Sequence, residues 1–289
     1  KGKVIFDYGN ISENSYIASW RKSILALLYG KYVKNGTIDL SNTLADLGID
    51  KIEPLLPIEK NATIKDIISS RSGVFLPGSN AGDLRSLAPA RGSVKPGEFW
   101  LYSNWDFNMA GYIFEQETNH SIYDEIESQL ALPLGMQDWN RELQKKSGDL
   151  TTSDVLAYHM WFSARDMARI GLMMLNNGQW NDKQVISSNW VSEMTYPSTS
   201  SEELNDIAPM FREQGGYFGY GYMWWLWDKP DNKYLNGAYS ALGAWGQNIT
   251  VIPELDVVLS IKTNDLYERR KGNHNHIVDM ITKSYNSEI

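Results

Sequence analysis

The chain has 289 residues, 42% of them apolar and 21% charged, enough for one large domain or two closely packed ones around a sizeable core. Its 27 basic and 35 acidic residues give a net charge of −8 without a basic stripe, which argues against nucleic acid and anionic membrane as partners. There is no cysteine, so thiol catalysis, thiolate zinc sites and disulfides are excluded, and no apolar run reaches the ~18–20 residues of a membrane-spanning helix.

In chain order, "KVIFDYG" (residues 3–9) predicts a strand running into a turn. "SWRKSILALLYG" (residues 19–30) predicts a buried helix, and "NGTIDLSNTLADLGI" a polar connector with turn signals. "TIKDIISSRSG" (residues 63–73) has the spacing of a short amphipathic helix ending at Gly73. Residues 74–100, rich in Gly, Pro and Ser, predict loop. Helical spacing returns in "WDFNMAGYIFEQETN" (residues 105–119) and in "SIYDEIESQLALPLGM" after it. "SARDMARIGLMMLNNG" (residues 163–178) is the clearest helix: Ser163 and Asp166 form a capping pattern, Met167, Ile170 and Met174 a core stripe, and Gly178 a stop. From about Tyr217 the texture turns to strands in "YFGYGYMWWLW", "KYLNGAYSALG", "WGQNITVIPE" and "DVVLSIKTN", before a last helix, "NHIVDMITKSY".

A strand, many helices, a block of antiparallel strands and a final helix predict an α+β fold of α/β-sandwich type, its sheet completed by both ends of the chain. Residues 1–62 and 179–289 would form the sheet region with the helix at Ser19. Residues 63–178 would form a mainly helical region.

Three stretches carry chemistry. In the first, Ser19, Lys22, Ala26 and Tyr29 share one stripe of a helix, so the ammonium of Lys22 has small and apolar neighbours and a serine one turn away. A serine hydroxyl becomes a good nucleophile only when a base takes its proton, and a lysine can do so once burial lowers its pKa. Ser-x-x-Lys is a common spacing, and this is its single occurrence here. Alone it reads more readily as a solvated lysine. The second stretch, "KPGEFWLYSNWDFNMAG" (residues 95–111), presents Tyr102, Ser103 and Asn104 in a turn before a helix, where a phenol near an ammonium could shuttle protons. In the third, "SALGAWGQNITVIP" (residues 240–253), Gly243 and Gly246 bracket a strand edge where backbone N–H groups could meet a substrate carbonyl, with a glycine bulge as the alternative.

Together these stretches resemble the serine β-lactamase-like superfamily, which includes class C β-lactamases, D-Ala-D-Ala carboxypeptidases, family VIII esterases and 6-aminohexanoate-dimer hydrolases. "SWRKSILALLYG" matches its nucleophile helix, "TIKDIISSRSGV" its T-I-x-D-L-L-x-x-x-S-G-L segment, and "PGEFWLYSN" its P-G-x-x-x-x-Y-S-N. "LPLGM", "SARDMARIGLMMLNNGQW" and "GAWGQNITVIPELDVVL" follow in family order, so nearly the whole chain is covered. The resemblance implies a β-lactamase/transpeptidase-like fold with Ser19 as acylated nucleophile and Lys22 and Tyr102 as acid/base pair. Asn104 would orient Lys22 or a substrate amide, and the backbone N–H groups of Ser19 and Ala244 would form an oxyanion hole. Gly243, Trp245, Trp105, Trp161 and Tyr220 are the expected substrate contacts. No metal or organic cofactor is implied. The expected partner is a small ester or amide, or a peptide-like substrate. The start at Lys1, the lack of cysteine and the habit of the family predict a periplasmic or secreted protein whose signal segment has been removed, with the cytoplasm as alternative.

Two departures refine this. Where β-lactamases and carboxypeptidases usually carry Lys/His-Thr/Ser-Gly, this chain has Ala241-Leu242-Gly243, without the cation and hydroxyl that help hold a substrate carboxylate. That lowers β-lactams and D-Ala-D-Ala peptides as substrates and raises esters and small amides, unless Arg85, Arg91 or Arg212 replaces the cation. The start is also short, since family members usually carry an extra helix and strand before "KVIFDYG".

Other readings fit less well. His274 and His276 lack an acidic partner at metal-ligand spacing, and His120 and His159 read as surface or packing residues. No Gly-x-Ser-x-Gly elbow and no phosphate-binding loop is present. The 11 Trp and 16 Tyr could line a pocket or, through Trp224, Trp225 and Trp227, a sugar-stacking face. Strand alternation turns Trp225 away from the other two. A non-catalytic binding protein on the same fold is the remaining alternative, and the intact Ser19, Lys22 and Tyr102 speak against it.

Overall fold

A computed structural model of the chain describes residues 2–213, 217–228 and 232–263. The first strand, β1 (Ser15–Tyr16), leads through a 3-10 turn (Ala18–Trp20) directly into α1 (Arg21–Lys34). Next come α2 (Ile64–Ile68), α3 (Asn104–Thr118) and α4 (Ile122–Ile126), the last continuing through a π turn into α5 (Leu132–Leu134). Short ladders follow: β2 (Lys145–Ser147) pairs with β3 (Ala157–His159), and β4 (Trp161–Phe162) returns to β1 with Ser15 opposite Phe162. After α6 (Ala164–Leu175) come the pair β5 (Gln179–Trp180) and β6 (Lys183–Gln184), then α7 (Ser188–Met194), α8 (Ser201–Ile207) and α9 (Met210–Glu213). The main sheet consists of β7 (Phe218–Tyr220), β8 (Trp225–Trp227), β9 (Tyr239–Gly243), β10 (Gln247–Ile252) and β11 (Val257–Ile261). These are antiparallel in the order β11-β10-β9-β8-β7. The fold is α+β.

Most elements follow from local signals. Thr63 and Asp66 cap α2 reciprocally, and Ser163 accepts from the backbone N–H of Asp166 at the start of α6. The run "YFGYGYMWWLW" is not one strand but two, because Met223 takes a left-handed φ of 58° and Gly221 donates to the Trp224 carbonyl (2.9 Å) to close the connection.

The N-terminal expectation is corrected. Residues 3–9 form no strand, and Val4, Ile5, Phe6 and Tyr8 are exposed. A run of strand-prone residues becomes a strand only beside another strand that takes its backbone hydrogen bonds, and none of the described strands flanks this segment. All five strands of the main sheet come from residues 218–261, so among the described residues both ends do not complete it. The expected final helix lies outside the described residues.

Helix α1 is the axis of the molecule. Every residue from Arg21 to Gly30 is buried, so the helix is enclosed on all sides, as the apolar run predicts. It lies against β9 on one side and against α3, α4 and α7 on the others. Burying Leu25, Leu27 and Leu28 contributes ~1.5–3 kcal/mol each. Polar atoms on its neighbours hold its rotation: Tyr29 donates to the Ala110 carbonyl (2.7 Å), the Trp190 indole to Ala26 (2.8 Å) and Ser23 to Met223 (2.6 Å). Across the sheet, α6 packs on β10 and β11, with Gly171 against Ile249 and Val258. Just beyond β11, the Lys262 ammonium donates to the carbonyls of Ser15 (3.1 Å) and Phe162, tying the sheet to the β1–β4 pair that precedes the nucleophile turn.

Candidate active site

Ser19 stands in the 3-10 turn before α1, half-buried, with its Oγ accepting from Lys22 Nζ at 3.1 Å. The turn is strained: Ala18 adopts φ 51°, a left-handed conformation that costs a non-glycine residue ~1–2 kcal/mol. It is held on both sides. Ile17 donates its N–H to the Met160 carbonyl (3.1 Å), and its own carbonyl oxygen abuts Gly243 at the end of β9. A Cβ at position 243 would collide with that oxygen and meet Gln247 Cβ at 2.9 Å and Trp20 N at 3.3 Å, so only glycine allows this approach. The turn that begins at Ala244 therefore starts beside Ser19. Trp245 in that turn has φ 67° and is 41% exposed.

Lys22 is 2% exposed, and its ammonium nitrogen lies 2.8 Å from the Tyr102 hydroxyl as well as 3.1 Å from Ser19. It also sits 4.0 Å from the ring centroids of Tyr102 and Phe107. Among the described residues, no carboxylate forms an ion pair with it. Burial pushes this amine well below the ordinary lysine range, the Arg21 charge pushes in the same direction, and Asp83 acts weakly against both. Burial also pushes the Tyr102 phenol up to about 12, against the opposing effects of the Ser19 hydrogen bond and of Arg21. At neutral pH Tyr102 is therefore a phenol that donates, and Lys22 is the group able to act as a base.

The backbone of Tyr102 is pinned before α3: Leu101 N–H donates to Ser70 (2.8 Å), and Leu84 N–H donates to the Tyr102 carbonyl (2.9 Å). Its ring packs on Phe107 (4.7 Å between centroids) and Trp225 (5.4 Å), with Tyr220 behind at 6.3 Å. Asn104 begins α3 fully buried. Its side-chain N–H donates to the Asn80 and Ala81 carbonyls (3.3 and 3.0 Å), its backbone N–H donates to Asp83 (3.0 Å), and its Oδ1 has no hydrogen-bond partner. The structure gives it no hydrogen bond to Lys22.

Of the expected substrate contacts, Trp161 and Trp245 sit together, half-buried and exposed, on either side of Tyr16, at 5.3 and 6.0 Å from its ring. Trp105 and Tyr220 are fully buried and reach a substrate only through residues in front of them. Trp224, Trp225 and Trp227 are buried as well, so they offer no open stacking face. The cation position holds the buried Ala241. Of its possible substitutes, Arg91 is committed to Glu59 (2.7 Å), Arg212 lies over Tyr217 (5.5 Å), and Arg85 is exposed. His159 packs against Tyr16, which it meets through a 2.9 Å hydrogen bond, and burial lowers it to about 4. His120 is exposed, while His274 and His276 lie outside the described residues. Among the described residues, no group of three or more His, Asp and Glu residues is placed to hold a metal ion.

Sequence reasoning passed over Arg21. It is 1% exposed, with Nη2 donating to Asn108 Oδ1 at 3.3 Å and the guanidinium 4.4 Å over the Tyr158 ring. The available signal was an arginine inside a run that otherwise reads as buried helix.

The beta-lactamase family model matches residues 13–280. The chain belongs to the beta-lactamase family. It is thereby a serine hydrolase. An uncharacterized protein of Alkalihalophilus pseudofirmus is 24% identical over 264 residues, covering 84% of this chain and 71% of its own length. Among solved structures, the fold is shared with a Bacillus anthracis protein named provisionally as a 6-aminohexanoate-dimer hydrolase (22% identity, TM-score 0.65, 96% of this chain and 76% of that one). It is shared also with EstCE1, described as a hydrolase with promiscuous acyltransferase activity (14% identity, TM-score 0.62, 93% and 83%). No helix of this family member, among the described residues, is long and apolar enough to cross a membrane.

Proposed function

We propose that the protein hydrolyses an ester or small amide through an acyl-enzyme on Ser19. The observation that carries this reading is the position of Lys22 Nζ, within hydrogen-bond reach of both Ser19 Oγ and Tyr102 OH in a site shielded from water. Lys22, as the free amine, takes the Ser19 proton while Oγ bonds to the substrate carbonyl carbon. The oxyanion forms against the backbone N–H groups of Ser19 and Ala244. The proton then passes from Lys22, with Tyr102 relaying, to the leaving oxygen or nitrogen as its bond to carbon breaks. Water, activated by the same pair, releases the acid and restores Ser19.

Three features support esters and small amides over β-lactams and D-Ala-D-Ala peptides. The cation position is Ala241, the arginines that could replace the cation are engaged or exposed, and the accessible wall is aromatic, from Trp161 and Trp245. The unpartnered Oδ1 of Asn104 supports a role in accepting from a substrate N–H or a water.

The deciding experiment runs wild type and Ser19→Ala side by side on p-nitrophenyl acetate and on a chromogenic cephalosporin, with intact mass recorded after a fluorophosphonate. Ester turnover and a single covalent adduct, both lost in the variant, are expected. Faster turnover of the cephalosporin would overturn the substrate class, and an unlabelled, inactive wild type would overturn the mechanism.

A further inference from the structure

Arg21 is a permanent charge in a place that gives it almost nothing in return. It is 1% exposed and forms no ion pair among the described residues. Its polar neighbours are uncharged: it donates to Asn108 Oδ1 at 3.3 Å, the Tyr16 and Tyr158 hydroxyls lie against it, its guanidinium rests on the Tyr158 ring, and its Nη1 has no hydrogen-bond partner. A buried, uncompensated guanidinium is costly, and at pH values where proteins fold it cannot escape by losing its proton. Other arginines serve structure through carboxylates: Arg91 meets Glu59, and Arg71 meets Glu203. Arg21 instead follows the nucleophile by two residues and adjoins the base in sequence, all three in the turn and first residues of α1.

We infer that Arg21 is a positioning residue whose fixed positive charge keeps Lys22 as the free amine able to take the Ser19 proton. The inference rests on the reading of Lys22 as the base for Ser19. Two cations in one dry region repel, and because the guanidinium cannot yield, the ammonium does. The same repulsion helps in the second half of the cycle. Once Lys22 has taken the Ser19 proton it is an ammonium beside a guanidinium, and therefore a strong acid toward the leaving group. Groups facing Lys22 are Ser19 from the turn, Tyr102 from the segment before α3, Arg21 from its own helix and Asp83 from the 80–83 loop. Among the described residues, Asp83 is the carboxylate acting on it. Around Arg21 stand Tyr16 from β1, Asn108 from α3, Tyr123 from α4 and Tyr158 and His159 from β3, all uncharged at neutral pH. The direction of the Lys22 titration agrees, since Arg21 acts on it second only to burial.

The test is the rate of Ser19 modification by a fluorophosphonate as a function of pH, which needs no knowledge of the substrate. In wild type the rate should rise with pH along a limb set by Lys22. In Arg21→Gln the limb should move to higher pH by about one unit, so that modification on its acid side slows about tenfold while the plateau is kept. Should Arg21→Gln fail to fold, Asn108→Asp neutralises the guanidinium where it stands and should move the limb in the same direction. An unmoved limb in the folded variant, whether at full or uniformly reduced rate, would overturn the role of Arg21. Modification that persists in Ser19→Ala would overturn the nucleophile assignment instead, and the two failures are distinguishable.

Discussion

Two helices of this molecule start from nearly the same letters, Ser19-Trp20-Arg21-Lys22 and Ser163-Ala164-Arg165-Asp166, and use them in opposite ways. At the start of α6 every polar group finds a partner. Ser163 caps the helix by accepting from Asp166 N–H and donates to Asp138 (2.6 Å). Arg165 grips the same Asp138 with two hydrogen bonds of 2.5 and 2.7 Å, and the Asp166 carboxylate accepts from the N–H groups of Gln137 and Asp138 (2.9 Å each). Burial pushes the Asp138 carboxyl up, but the hydrogen bonds of Arg165 and Ser163 outweigh it and leave the group below its ordinary value. At the start of α1 the serine caps nothing, the arginine pairs with no carboxylate among the described residues, and the lysine lies buried between two hydroxyls. Lys22 in the place of Asp166 puts a cation where the other helix has a carboxylate that accepts two backbone N–H groups. One end satisfies its charges and anchors a helix; the other leaves them unsatisfied, poised for proton transfer.

Four substitutions sharpen that contrast. Lys22→Met should lower ester turnover by ~10²–10⁴, the contribution of a positioned base, without lowering the melting temperature, because an uncompensated amine leaves the core. Retained turnover would remove Lys22 from the mechanism. Gly243→Ala should cost ~10²–10³ in kcat, because its Cβ would force the Ile17 carbonyl and the Ala244 turn apart and spoil the backbone donors. The effect should fall on kcat rather than on fluorescence-monitored stability. Ser163→Ala should lose ~1 kcal/mol in urea denaturation with kcat/KM unchanged, whereas Ser19→Ala should lose activity with stability unchanged. If both serines behaved alike in either assay, the comparison of the two helix starts would fail.

The smallest effect concerns Asp106 on α3. It is buried, accepts from Ser72 (2.6 Å), and is pushed well above the ordinary carboxyl range mainly by burial. The folded state thus holds a proton that the unfolded chain releases above pH ~4, so stability falls as pH rises from there toward the folded pKa. Asp106→Asn should match wild type near pH 3 and exceed it at pH 7 in thermal melts. An equal pH dependence would mean that the carboxyl is ionised in the folded protein.

Much of this was legible in the residues. Capping patterns at Thr63 and Ser163, the apolar run of α1 and the late strands are local, and local propensity decides them. The order of six motifs carried the fold. The segment at residues 3–9 misled because its run of strand-prone residues fits a strand without supplying a neighbour. "YFGYGYMWWLW" misled because one left-handed residue, Met223, splits what the pattern joins.

The sequence by itself determined the candidates: a serine and a lysine one turn apart, a tyrosine before a helix and glycines at a strand end. Tertiary structure alone decided their chemistry. Residues 80 positions apart meet at 2.8 Å between Lys22 and Tyr102, and which charges are left without partners depends on every element packed around α1. A proton affinity is set by that enclosure, through desolvation and nearby charge, and no spacing along the chain encodes it.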